Sequence, residues 1–208
     1  MFILKPLPGG QNFEFGMSLA TIMVEMLKVS STLQEVKAAL KGKQVLVNGA
    51  VIVQHKFFVG LFDTLEFPSL KKHFRIVLNQ RGKLVAMPIS AEESKKKVCK
   101  VIGKTYQPQG KVQLNLNDGY NLLLKESETK VADSILMNLP DRVPETYLKL
   151  EKDAVVYLTH GAHRGLIGKV VEVKKSSLRL KIKDDEVETL KSFAIVVGKG
   201  KPAISVVG

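Results

Sequence analysis

A chain of 208 residues with 45% hydrophobic and 25% charged side chains has the make-up of a folded protein, with room for one large domain or two to three small ones. Its 32 Lys and Arg against 20 Asp and Glu leave a net charge of +12, which favours a polyanionic partner, because each neutralised phosphate releases a counterion. A single cysteine, Cys99, excludes an intrachain disulfide and a cysteine-held zinc and suits a reducing compartment.

Residues 1–16 carry Lys5-Pro6-Leu7-Pro8-Gly9-Gly10, the composition of an extended arm, without the basic and apolar regions of a secretory signal. Leu19, Ile22, Met23, Met26 and Leu27 then fall at helical spacing along one face. This apolar stretch is broken by Glu25 and is too short to cross a membrane. No strongly basic amphipathic helix follows, so nucleic acid is expected ahead of anionic lipid, in a soluble, cytoplasmic protein. Two overlapping capping boxes, Ser31 with Gln34 and Thr32 with Glu35, predict a second helix with Leu33, Val36 and Leu40 inward and a stop near Gly42. Val45-Leu46-Val47, Asn48-Gly49 and Val51-Ile52-Val53 predict a tight hairpin, since Asn-Gly tolerates positive φ at both central positions. Two helices and a hairpin make one compact unit over residues 17–66.

From residue 67 to 149 the pattern is mostly strand. His73–Leu78 and Lys83–Met87 flank the turn Asn79-Gln80-Arg81-Gly82, and Ser90–Lys97 is one helical interruption, capped by Ser90 with Glu93 three residues on. Strands are expected at Val98–Gly103, Lys111–Leu116 and Asn121–Leu124, with Asn117-Asp118-Gly119 as a turn and a loop-rich stretch at Val131–Tyr147. In the last unit, residues 150–198, Leu178, Leu180 and Ile182 alternate with Arg179, Lys181 and Lys183, a core face backed by a row of cations that is either solvated or a binding surface. Asp184-Asp185-Glu186 has no histidine or metal ligand beside it and is expected to be a solvated turn. Residues 199–208 form a tail.

The segment from Asp153 to Val173 runs through Gly161, Arg164-Gly165 and Gly168-Lys169-Val170. It resembles the KOW motif, a strand–loop–strand unit of five-stranded barrels. Its glycines would permit backbone angles that side chains forbid, bringing Arg164 and main-chain amides against phosphate. A glycine-rich hairpin without a ligand is the plainer alternative. His160 and His163 alone are too few for a metal site. Residues 17–66 resemble the αL, or S-four-type, RNA-binding fold through Leu27-Lys28, Ser31-Thr32-Leu33-Gln34-Glu35, Lys43-Gln44-Val45-Leu46-Val47-Asn48-Gly49 and Val59-Gly60-Leu61-Phe62-Asp63.

Joined in this order, with Phe74-Arg75-Ile76-Val77-Leu78, Arg81-Gly82-Lys83-Leu84 and the tail Phe193–Pro202, the units resemble the small-subunit ribosomal protein S-four-e family of archaea and eukaryotes over nearly the whole chain. That resemblance implies an α+β, mostly β fold: an αL helix–hairpin domain, a central β-rich domain and a C-terminal KOW five-stranded barrel. It also implies a non-enzymatic constituent of the small subunit, without cofactor or metal, that binds ribosomal RNA by its phosphate backbone. Its partners would be that RNA and neighbouring small-subunit proteins, with no membrane and no homo-oligomer. The residues implied in RNA contact are Lys28, Lys37, Lys41 and Lys43 in the first unit, and Lys71, Lys72, Arg75, Arg81 and Lys83 in the second. In the barrel and tail they are His160, His163, Arg164, Lys169, Lys199 and Lys201. The chain departs from the family in lacking a longer basic arm and in having Val24, Ile52 or Val53, and Tyr120 where arginines are common. An RNA-modifying enzyme would need a catalytic aspartate after Arg81-Gly82-Lys83-Leu84, where Val85 stands, and a methyltransferase a glycine-rich strand-to-helix loop. A KOW elongation factor would carry a different amino-terminal unit.

Overall fold

The computed structural model describes residues 4–183 and 185–206, so Asp184 of the acidic turn lies outside the described residues. Strand β1 (Gly16–Ser18) enters the short helix α1 (Leu19–Thr21), where the Ser18 hydroxyl accepts from the Thr21 amide at 3.3 Å. The helix widens into a π-helical stretch, Ile22–Met26, in which the Leu27 amide reaches back to the Ile22 carbonyl. Leu19, Ile22 and Met23 are buried in this segment. Helix α2 (Leu33–Lys41) starts on the second of the two predicted boxes: Thr32 Oγ1 accepts from the Glu35 amide, and the Glu35 carboxylate accepts from the Ser31 amide at 2.7 Å. Val36 and Leu40 face inward as expected, but Leu33, at the first helical position, is exposed. The hairpin β2 (Leu46–Val47) and β3 (Ala50–Val51) turns on Asn48 and Gly49 with φ of 51° and 75°, the geometry their sequence predicts.

Strand β4 (Phe58–Gly60) pairs with β1, and β5 (Thr64–Phe67) pairs with β2 on one side and β6 (Lys72–Leu78) on the other. With β7 (Leu84–Pro88) they form a sheet ordered β3-β2-β5-β6-β7, which runs through position 66/67, where a unit boundary is expected from sequence. The two helices seal one face of this sheet through Leu19, Ile22, Val36, Leu40, Leu65 and Ile76. Burying each such side chain contributes roughly 1.5–3 kcal/mol.

The predicted helix at Ser90–Lys97 is only a single 3-10 turn, Glu93–Lys95, although Ser90 Oγ does accept from the Glu93 amide. Strand β8 (Lys96–Tyr106) takes over at once, because Lys97 through Val101 are all buried in the sheet and packing overrides local preference. It is the centre of a sheet ordered β10-β9-β8-β11-β12, with β9 (Val112–Leu116), β10 (Asn121–Leu124), β11 (Ser134–Asn138) and β12 (Val143–Leu148). The stretch expected to be loop-rich, 131–147, is therefore a hairpin. Its prolines do not forbid this: Pro140 lies in the turn, and Pro144 lies on edge strand β12 at a register shift, where a missing amide interrupts no interior ladder.

The last unit has the five expected long strands, β13 (Ala154–Leu158), β14 (Ile167–Val173), β15 (Ser177–Ile182), β16 (Asp185–Leu190) and β17 (Ala194–Lys199), plus β18 (Lys201–Pro202). Register shifts in β13 and β14 curl the sheet into a half-barrel. Its core is shared with the rest of the molecule: Tyr157 lies against Phe62, and its buried hydroxyl both donates to the Leu78 carbonyl and accepts from the Leu78 amide. The described part of the amino-terminal arm is packed against the body at Gly10 and Gln11. The Gln11 side chain bonds both main-chain groups of Leu61 at 3.1 Å, and Gly10 passes so close to the Asp118 carbonyl that no side chain fits there.

Candidate nucleic-acid interface

The charge surplus is uneven: residues 67–149 hold 15 Lys and Arg against 8 Asp and Glu, while residues 150–198 hold 9 against 7. Placement and pairing therefore decide which cations can meet a polyanion. In the first unit, Lys28, Lys37, Lys41 and Lys43 are all exposed, on and beside α2. Among the described residues none of them has a carboxylate within ion-pairing distance. Lys56, which is not among the cations expected from sequence, joins them. The His55 imidazole is lowered first by burial and then by the nearby charges of Lys37 and Lys56. The only legible signal was the His55-Lys56 step itself.

A second cluster forms where two loops meet. Arg164, in the loop between β13 and β14, lies across Gly82 and donates to the Arg81 carbonyl at 3.2 Å. Gly165 packs against the Asn79 carbonyl in the same turn. Both glycines have positive φ, and a Cβ at either would collide with the opposite loop. Arg81, Lys83 and Arg164, from units far apart in sequence, are thus exposed side by side. Contrary to the expectation from sequence, three of the loop amides are not available to phosphate. Those of Arg164, Gly165 and Leu166 donate to the carbonyls of Gly161, Leu158 and His163, so they are already used within the loop. Gly168 is a second correction: its φ is ordinary, and a side chain there would crowd Ile182 and Leu180.

Arg75 is a third. It is fully buried, donating to the carbonyls of Glu93, Lys96 and Ser205, and burial pushes its guanidinium down to about 10. It ties β6 to the 93–96 turn and the tail and cannot reach RNA. Lys71 and Lys72 are exposed, but at the far end of β6 from Arg81, about 20 Å away.

Two of the cations predicted for the half-barrel and tail are already matched. Lys169 pairs with Asp153 at 2.8 Å and Lys199 with Glu151 at 2.6 Å. Arg179 and Lys181 of the cation row face Glu188 and Glu186 across the β15–β16 ladder, and Arg179 also meets Glu172 at 3.6 Å. Arg179 and Lys181 are thus opposed by acids on the neighbouring strands. His160 stacks on Phe193 at 4.9 Å, meets the edge of Phe15 at 4.8 Å and bonds Thr159, which makes it a packing residue. His163 is half-buried, and Lys201 is exposed and unpaired among the described residues. Tyr120, where family members often have arginine, carries Arg142 over its ring at 4.5 Å, so a cation stands at that place from another strand connection.

The interior holds two lysines on β8 with opposite fates. Lys97 bridges Asp63 at 2.7 Å and Asp118 at 2.8 Å, and Asn48 and the Gly60 amide also bond Asp63. Burial alone would lower the Lys97 ammonium, but the two carboxylates outweigh it and hold it above the usual lysine range. Burial likewise works to raise Asp118, and Lys97 outweighs it, leaving that carboxyl below its usual value. This network clamps the hairpin turn, the β4–β5 turn and the Asn117-Asp118-Gly119 turn together. Lys100 has no carboxylate partner among the described residues; its Nζ donates to the carbonyls of Lys191 and Ser192 at 2.8 Å, and burial pushes it down to about 8.

Residues 70–143 match the sequence pattern described as ribosomal family S4e. The small ribosomal subunit protein eS4 of Methanocella arvoryzae is 32% identical over 98% of this chain and 88% of its own length. The protein of the same name from Archaeoglobus fulgidus is 34% identical over the same shares. The crystal structure of the 30S ribosomal protein S4e from Thermoplasma acidophilum superposes with a TM-score of 0.77 at 25% identity, covering 88% of this chain and 95% of that one.

Proposed function

The chain belongs to the ribosomal family S4e and is a structural constituent of the small ribosomal subunit, and from that premise we propose that it holds ribosomal RNA through two groups of exposed, unpaired cations. The first is Lys28, Lys37, Lys41, Lys43 and Lys56 around α2; the second is Arg81, Lys83 and Arg164 where two loops interlock. Both present cationic side chains, which suits recognition of RNA by backbone and shape. Two such patches on one folded chain fix the relative position of the RNA segments they touch, and their affinities reinforce each other. The observation that carries this reading is pairing: among the described residues these cations have no carboxylate within ion-pairing distance, whereas Lys169, Lys174, Arg179 and Lys199 of the half-barrel do. Neighbouring small-subunit proteins are the other proposed partners.

Sedimentation of a native lysate on a sucrose gradient tests the reading. The chain is expected at near-stoichiometric levels in small-subunit, whole-ribosome and polysome fractions, and to stay there through a moderate salt wash. Recovery only at the top of the gradient would contradict it.

A further inference from the structure

A cavity of about 700 Å³ opens between the amino-terminal arm, the central sheet and the half-barrel. Its size falls within the roughly 300–1,000 Å³ typical of small-molecule sites. Lys100, Lys175 and Lys191 line it, and among the described residues no aspartate or glutamate does. Lys100 is only 7% exposed, and among the described residues its charge meets two main-chain carbonyls and no carboxylate. A buried ammonium without a counter-charge is costly to fold around, and an anion bound beside it would remove that cost. Position is not left to chance: Asn117 bonds both the amide and the carbonyl of Lys100, at 2.8 and 2.9 Å, and itself lines the cavity.

The rest of the lining is suited to more than a bare anion. Phe15, Leu61, Val101 and Ile195 supply apolar wall. Thr159 gives its one hydroxyl proton to the Phe193 carbonyl at 3.0 Å, so at the 2.9 Å contact with His160 it must accept from Nδ1–H. The neutral imidazole then keeps Nε2 as an acceptor with no protein partner among the described residues. Cations for a phosphate, apolar wall for a ring and an acceptor at the rim match one ligand class.

We propose that this cavity binds a single nucleotide unit, its phosphate on Lys100 and Lys191 and its base against the apolar wall beside His160. The inference stands on the cavity and does not depend on how α2 contacts RNA. Two sources share this chemistry: a nucleotide splayed from an RNA strand, and a free mononucleotide.

Isothermal titration of the full chain carrying K37A, K41A and K43A, which removes three of the five α2 cations, tests it with adenosine 5′-monophosphate, a single-stranded hexanucleotide and inorganic phosphate. Saturable binding of the mononucleotide or the hexanucleotide is expected, weakened about tenfold or more by K100M. Because K100M also removes two structural hydrogen bonds, K191A is the second variant; it keeps the carbonyl that Lys100 uses and should weaken binding in the same direction. Mononucleotide bound as tightly as hexanucleotide would support a free ligand, and hexanucleotide bound tenfold tighter would support an RNA strand. No binding of either, equal binding by inorganic phosphate, or unchanged affinity in folded K100M and K191A would overturn the proposal.

Discussion

The α2 surface and the half-barrel are both rich in lysine and arginine, yet they differ in what those cations already touch. Around α2, Lys37, Lys41 and Lys43 project without carboxylate partners, while Lys169, Lys174, Arg179 and Lys199 of the barrel and its last strand each have one at 2.6–3.6 Å. Exposed ion pairs add little stability, but they cancel much of the field that a polyanion would feel. A count of basic residues therefore does not locate an interface; the unpaired ones do. The same distinction recurs inside the protein, where Lys97 has two carboxylates and Lys100 has none.

The largest expected effect comes from breaking the paired interior. Lys97→Met leaves the buried carboxylates of Asp63 and Asp118 with only the Arg142 guanidinium, 3.6 Å from Asp118, set against them, and should cost about 3–5 kcal/mol in urea unfolding. The pH profile follows from Asp118, whose folded value lies below its usual 3.8. Its contribution is present above that value and lost as pH falls through the lower folded one, so Asp118→Asn should flatten the acid limb of stability below about pH 4.

Breaking the unpaired surface comes next. Replacing Lys37, Lys41 and Lys43 together by alanine should lower affinity for small-subunit RNA about a hundredfold at 0.15 M salt, and reduce the slope of log K against log salt by about 2. Gly82→Ala forces a side chain onto a left-handed backbone and against Arg164. It should cost about 1–2 kcal/mol and loosen the Arg81–Arg164 patch, which a differential scan and filter binding would register together. The smallest effect sharpens the contrast: Lys169→Ala with Arg179→Ala should change RNA affinity by less than about twofold, since those charges are already matched.

Much of this was legible in the residues. Thr32 with Glu35, Asn48-Gly49 and the Gly161–Gly165 loop announce themselves because capping and positive φ are local chemistry. The hairpin at 134–148 was not, since Pro140 and Pro144 look like loop residues until the turn and the edge position are known. Arg75 read as an RNA ligand because a buried arginine and a surface arginine look alike in sequence; only the three carbonyls around it distinguish them. The meeting of Gly82 with Arg164, and the acids opposite the barrel cations, are long-range pairings that no local pattern encodes.

Lysine acetylation of the free chain and of the chain within isolated small subunits, compared residue by residue by mass spectrometry, tests the distinction between free and paired cations most directly. Lys37, Lys41, Lys43 and Lys83 should become strongly protected in the subunit, while Lys169, Lys174 and Lys199 stay reactive. Protection of the barrel lysines with α2 lysines left open would contradict the account.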